Sequence, residues 1–418
     1  MYILGVHDGH DAGAALVEEG KLISAVNEER FTKKKNDVNF PINSIKYLLT
    51  LVKNEEIDKI AIPWIGGSAL FGRIYPKREQ KRRQLWRREI KKPSYANMLF
   101  TNLMFKIIQD QKPTSLWHFL GTNIGGYLLR NRLKKLGLEK KLVFVEHHVA
   151  HASSAYYASG FKEALVITLD GAGDGLSGSV SIGENGNLRR INTFKASASL
   201  GILYGAATIA TDMRYSEDEG KLMCLAAYSY PTKIEELKNI SYYDENKKQL
   251  VSKFGRKYEL YLAEYFRNTI LWRYNREAFA YAIQKHVEEQ VLKIIKQNIK
   301  ETGITNVAVA GGLFSNIVIN MLINELPEVK NFFVFPHMGD GGLAVGAAYY
   351  VDFLENGKFN DKQIDNLYLG PAYTNEEIKN ELEKHKEITF EEISDPTSYG
   401  AELIGKENKI LLWFQGRM

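Results

Sequence analysis

The sequence predicts a duplicated α/β protein, and three observations predict it. A strand meander followed by alternating helix and strand occurs twice along the chain. A glycine-rich turn stands at equivalent places in both rounds. Ligands of such folds favour the carboxyl ends of the strands, so the turns are expected to share one cleft between the halves.

The first round opens with ILGV, GAALV and LISAV, the last two joined by Glu18-Glu19-Gly20-Lys21, and their continuous or alternating apolar residues are those of strands. Residues 41–53 begin with a proline and carry the helical stripe Ile45, Leu48, Leu49 and Val52; IDKIAIP follows as a strand. In the second round ALVITLD, SGSVSIG and the run around LRRINTF read as three strands, and SLGILYGAATIAT as a helix. A long helix over 276–300, the strand VAVAGG, a helix from Ser315 with Ser315 as its cap, the strand FFVF and a helix from Gly341 complete it. The glycine turns are His7-Asp8-Gly9, Asp170-Gly171-Ala172-Gly173-Asp174-Gly175 and Gly339-Asp340-Gly341-Gly342. One such turn says little, since loops in any α/β protein use glycine; three at matching places say more.

With 418 residues the chain is too long for one core. The polar stretch 355–362 marks a boundary, giving domains at 1–360 and 361–418. An apolar share of 44% and a charged share of 25% suit a soluble protein. No run of about eighteen apolar residues is present, and residues 1–12 lack a signal-peptide pattern, so a cytoplasmic protein with no membrane partner is expected. The single cysteine, Cys224, excludes an internal disulfide and a cysteine-rich zinc site. Net charge is +5, yet residues 73–92 alone carry ten Lys or Arg against two Glu. This basic insertion, 73–95, reads as a solvated helix with Leu85, Trp86 and Ile90 as its buried stripe, ahead of a groove for an anionic partner.

The stretch FVEHHVAHASSAYY holds three of nine histidines. On a helix, His147 and His151 share a face while His148 turns about 100° away. An isolated pair of this kind more often lines a surface helix, and a metal needs further ligands. Asp170 at the end of ALVITL and Asp340 in the turn after FFVFP would supply them in the cleft. Two His and two Asp make a nitrogen and oxygen site suited to Fe(II), Mn(II) or Zn(II) with open positions left for substrate, and His148 falls to a supporting role. The HExxH arrangement of metalloproteases is absent, which favours polarising a bound group over activating water.

Six segments, ILGVHDGHDAGAALVEEGKLISAVNEERFTKKK, EHHVAHASSAYY, SLGILYGAAT, DEGKLMCLAAY, AGGLFSNIVIN and GDGGLAVGAAYY, together resemble the O-carbamoyltransferases of nodulation-factor and antibiotic biosynthesis, the nodulation, tobramycin and cephamycin type, over almost the whole chain. The resemblance implies a duplicated actin-like ATPase (ASKHA) domain that holds carbamoyl adenylate beside iron, or another divalent metal, on His147, His151, Asp170 and Asp340. It further implies that His10 is the general base for an acceptor hydroxyl with Asp8 assisting or orienting it. Glu219, Lys221, Gly311, Gly312 and Asn316 match the family's nucleotide-binding segments. Cys224 stands where the family usually has glycine and Asn27 where it has glutamate, which leaves the class intact and the acceptor open.

The chemistry so implied is O-carbamoyl transfer: ATP and carbamoyl phosphate give carbamoyl adenylate, and a hydroxyl of a small-molecule acceptor takes the carbamoyl group as AMP leaves. KILLWFQGRM reads as a strand entering a glycine turn. The resemblance implies that Gly416-Arg417-Met418 starts a motif of a YrdC-like α/β domain present only over 366–418, so a truncated chain that makes carbamoyl adenylate poorly is expected. Three rivals remain. A sugar-type kinase explains the turns but not the histidines; threonylcarbamoyl transfer to tRNA would use the basic segment, though the motifs at both ends disfavour a nucleic-acid partner; a non-catalytic nucleotide-binding protein is the third. A homodimer is left open.

Overall fold

The computed structural model describes residues 1–65, 67–75, 116–255 and 259–418, and these fall into two compact units, Met1–Ile364 and Asp365–Met418. The basic-insertion stripe expected at Leu85, Trp86 and Ile90 lies outside the described residues.

The first half of the large unit is built on β1 (Tyr2–His7), β2 (Gly13–Glu18) and β3 (Lys21–Asn27), an antiparallel meander. α1 (Ile42–Leu48) follows, with the buried Glu28 carboxylate accepting the Asn43 and Ser44 amides at its start. The helix stops at Leu48, sooner than its apolar stripe suggested, yet Ile45, Leu48 and Val52 are all buried. β4 (Ile57–Ile62) pairs parallel with β1. Beyond α2 (Gly67–Ile74) and α3 (Leu116–Lys134), the short β5 (Lys141–Phe144) pairs parallel with β4. The sheet order is β3-β2-β1-β4-β5.

α4 (His147–Ser159) leads into the second half. There β6 (Glu163–Gly173), β7 (Leu176–Glu184) and β8 (Asn187–Lys195) form another antiparallel meander. α5 (Leu200–Ala210), α6 (Glu219–Ala226), the hairpin β9 (Ser241–Asp244) and β10 (Gln249–Ser252), α7 (Glu259–Thr269) and the long α8 (Arg276–Thr302) come next. β11 (Asn306–Ala310), α9 (Ile317–Asn324), β12 (Asn331–Val334) and α10 (Leu343–Asn356) close the half. β11 is parallel to both β6 and β12, giving the order β8-β7-β6-β11-β12. Strand for strand, this repeats the first sheet. Two copies of a three-strand meander extended by two parallel strands make the duplicated actin-like (ASKHA) fold expected from the sequence.

Each sheet has its own apolar core, one around Leu4, Val6, Leu16, Ile45 and Ile60, the other around Leu165, Ile167, Phe194, Phe279 and Val309. The helices between them are exchanged. α4, which follows the first sheet in sequence, packs on β6 and β11; α10, which ends the second, packs on β1 and β2, and α4 and α10 pack on one another. The approach is close enough to demand glycine. A Cβ at Gly5 would stand 1.9 Å from the Ala344 carbonyl oxygen, and one at Gly346 1.8 Å from that of Ala150.

In the small unit α11 (Asn375–Leu382) starts with a Thr374/Glu377 capping box and α12 (Pro396–Gly405) is capped by Asp395. The strand expected over 409–418 does not form: the unit has no strand, and an isolated strand leaves its backbone groups without partners.

Candidate metal and carbamoyl-transfer site

The site is assembled from the ends of four elements. At the first, the Glu146 carboxylate accepts the His148 and Val149 amides and Asp174 Oδ2 accepts the His147 amide, so the N-terminus of α4 is capped by two carboxylates. His147 and His151 then face the same way. His148 turns to β6, where its Nδ1 meets Thr168 Oγ1 at 3.0 Å; burial pushes its imidazole down to about 3, so it is neutral.

The second contribution comes from β6. Its ladder with β7 breaks between Leu169 and Gly173, and this irregularity re-aims Asp170 into the cleft. Gly173 makes room for the ligand histidine, since a Cβ there would lie 2.1 Å from the His147 ring. The Gly312 amide donates to Asp170 Oδ1 at 2.9 Å, leaving Oδ2 directed at His147 Nε2 at 3.2 Å. Asp340, in a helical turn that runs into α10, places Oδ1 3.7 Å from His147 Nε2 and 3.4 Å from His151 Nε2.

One donor atom from each of His147, His151, Asp170 and Asp340 thus lies within 4.8 Å of the others. The four residues named from spacing and strand ends are brought together. His151 Nδ1 is buried without a hydrogen-bond partner, and Nε2 faces the Asp340 and Asp170 carboxylates at 3.4 and 3.9 Å, distances that leave room for an ion among them. Burial depresses the His147 imidazole, but the Asp340 and Asp170 carboxylates more than reverse this and lift it to about 9. Burial opposes ionisation of Asp340 too, and the nearby His10 and His147 override it, holding the carboxyl well below the usual range. Two carboxylates and two imidazoles, largely buried together, fit a divalent cation that would replace a proton among them.

The fourth contribution is the turn after β1. His10 Nε2 lies 2.7 Å from Asp340 Oδ2, and its Nδ1 lies 2.9 Å from Asp11 Oδ2. His7, buried and pushed by that burial down to about 4, is neutral and meets the His10 carbonyl at 2.9 Å through Nε2. Asp8 lies in a buried ion pair with Arg73. Both its oxygens are taken by Arg73, Nε at 2.7 Å and Nη2 at 2.9 Å, and the guanidinium overrides the effect of burial to keep the carboxyl below its usual range. The carboxylate at His10 Nδ1 is that of Asp11, which sequence reasoning passed over although it is the next residue. Arg73, counted in the basic run, is buried in an ion pair because α2 turns it inward.

Of the residues matched to nucleotide segments, Gly311 has φ 106° and approaches the β6 backbone so closely that a Cβ would stand 2.2 Å from the Leu169 carbonyl oxygen. Glu219 begins α6, accepts the Ser216 amide at 2.7 Å and is pushed by burial up to about 7. Lys221 is exposed and pairs with Asp218 at 2.8 Å. Asn316, not Ser315, caps α9, because its side chain accepts the Ile319 amide; the same buried amide group exchanges hydrogen bonds with Gln284. Asn27 donates to the Asp11 carbonyl at 2.9 Å.

Residues 2–349 match the family described as Carbamoyltransferase N-terminus. The chain belongs to this family. An uncharacterized protein of Methanocaldococcus jannaschii is 30% identical over 100% of this chain and 70% of its own length. Nodulation protein NolNO of Sinorhizobium fredii is 28% identical over 98% of this chain and 56% of its own. Among solved structures, HypF of T. kodakarensis aligns with 87% of this chain and 49% of that one, with a TM-score of 0.47 at 13% identity. The actin-like fold of this carbamoyltransferase rests on its two matching sheets. Among the described residues no helix of the carbamoyltransferase is long and apolar enough to cross a membrane.

Proposed function

We propose that this carbamoyltransferase moves a carbamoyl group from carbamoyl adenylate, itself made from carbamoyl phosphate and ATP, to a hydroxyl of a small-molecule acceptor. The observation that carries the reading is the contact of His10 with Asp340, which sets an imidazole against the rim of the His147, His151, Asp170 and Asp340 group. His147, His151, Asp170 and Asp340 would hold Fe(II) or a similar divalent ion, whose charge offsets that developing on a carbonyl or phosphate oxygen.

The residues of the chain do the rest. Asp11 accepts from His10 Nδ1, and in the contact with Asp340 the Nε2 carries a proton as well, so Nε2 becomes the basic site once that proton is given up and the acceptor hydroxyl enters between His10 and Asp340. The acceptor oxygen bonds to the carbamoyl carbon, the bond from that carbon to the adenylate oxygen breaks, the proton passes to His10 Nε2, and AMP departs. Gly311 and Gly312 bring bare backbone next to Asp170, where the adenylate phosphate would lie. Replacing His10 by Asn should slow AMP release from supplied carbamoyl adenylate, assayed with a panel of sugars and aminoglycosides, by at least about 100-fold. Its binding of carbamoyl adenylate, measured by calorimetry, should stay near wild type. An unchanged rate would remove His10 from this role.

A further inference from the structure

Trp64, Ile65 and Arg73 touch the site at three points. The Ile65 amide donates to Asp174 Oδ2 at 3.3 Å, the oxygen that also caps the ligand helix α4 at His147. The Trp64 ring lies against the turn that carries His10: its centroid is 6.0 Å from that of His7, and a Cβ at Gly9 would stand 2.8 Å from its edge. Arg73 then grips both oxygens of Asp8 and donates to the Trp64 carbonyl at 3.4 Å.

We propose that Arg73 is a positioning residue for carbamoyl transfer, its planar fork locking Asp8 and so holding His10, two residues further along the same turn, against Asp340. The inference rests on the functional reading above, since it concerns the proton acceptor named there. Three observations favour a geometric role over a plain charge pair. Both side chains are 2% exposed, so the pair is shielded from water. The guanidinium is accommodated by a missing side chain, as a Cβ at Gly125 on α3 would stand 2.9 Å from Nη1. Nη1 itself is buried with no hydrogen-bond partner. A lysine would neutralise Asp8 without leaving such an orphan; what arginine adds is two parallel bonds that fix the plane of the carboxylate. Arg132 Nη2 donates to the Arg73 carbonyl at 3.1 Å, tying the device to α3.

The test compares the wild-type chain with Arg73→Met, Arg73→Lys, Asp8→Asn and the Arg73→Met/Asp8→Asn double variant, each checked for its melting transition and bound iron. Carbethoxylation of His10 by diethyl pyrocarbonate, followed by peptide mass mapping, reads the hold on the turn without any turnover. Arg73→Met and Asp8→Asn should each raise the His10 rate at least about fivefold, with the double variant no faster than the quicker single and Arg73→Lys in between. AMP release from carbamoyl adenylate should lose at least about tenfold in kcat with KM changed less than about twofold, and bound iron should be unchanged. A wild-type His10 rate in folded Arg73→Met and Asp8→Asn would overturn the proposal; if Arg73→Met does not fold, Arg73→Lys and Asp8→Asn decide it. Faster His10 modification in the variants, with a wild-type chain that itself releases no AMP from carbamoyl adenylate, would support the positioning role while removing the functional reading it serves.

Discussion

Gly173 gives up a side chain so that the His147 ring can lie on the β6 backbone, and Asp170 leaves its ladder three residues earlier to meet that ring. Single positions of this kind set the chemistry. Glu219 offers one that titrates near neutrality. Its folded value, raised by burial to about 7 from the ordinary 4.5, means that the native state binds more protons than the unfolded state between those two pH values. Stability therefore falls as pH rises through this window and is level above about 7. Glu219→Gln should flatten the slope, a change of at most about 3 kcal/mol, visible as the difference between urea unfolding at pH 5 and pH 8. The four candidate ligands were named from histidines four apart and aspartates near strand ends, and the family resemblance set them above the ordinary surface-helix reading. The choice between Asp8 and Asp11 as partner of His10 was not legible in the sequence, for it depends on Arg73, which reaches Asp8 across 65 positions of sequence.

Elements carry the ligands to one place. His147 and His151 ride on α4, Asp340 stands just before α10, and the backbones of these two helices nearly touch where Gly346 passes Ala150. A Cβ at Gly346 has no room against a backbone carbonyl, so the helices would have to separate. Gly346→Ala should cost about 3 kcal/mol or more and weaken metal binding, with iron per folded chain falling alongside the melting temperature. The sequence reading took both segments as helices, 147–158 for its histidine spacing and the other from Gly341, but could not show that they exchange sheets. It also left β5 unremarked: only four residues long, it owes its pairing to the edge of β4. At the other end, the apolar run over 409–418 had the composition of a strand and lacks a neighbouring strand to pair with.

At the scale of the whole molecule, the cluster gathers residues 147 to 340 from elements on the second sheet, and His10 reaches it from the first. An ion bound there recognises only the folded chain. Stripping it with a chelator should lower the melting temperature by several degrees, and re-adding Fe(II) in about 1,000-fold excess over its dissociation constant should restore roughly 4 kcal/mol. Asp340→Ala should hold less than about a tenth of the wild-type iron and show no such response, because a metal site missing one of four ligands loses affinity steeply. A mutant that still takes up iron and regains its melting temperature would place the ion elsewhere. The sequence by itself determined the two rounds of strands and helices and the glycine turns, because local spacing dictates which face a side chain occupies on a helix or strand, and together with the family resemblance it named the four ligand candidates. Only the tertiary structure decided that α4 and α10 trade sheets, that Asp11 and not Asp8 meets the His10 ring, that Asn316 caps α9, and that Arg73 is buried against Asp8. Those outcomes depend on contacts between distant segments, whose partners are selected by close packing and by the cost of leaving a buried charge or hydrogen-bonding group unpaired.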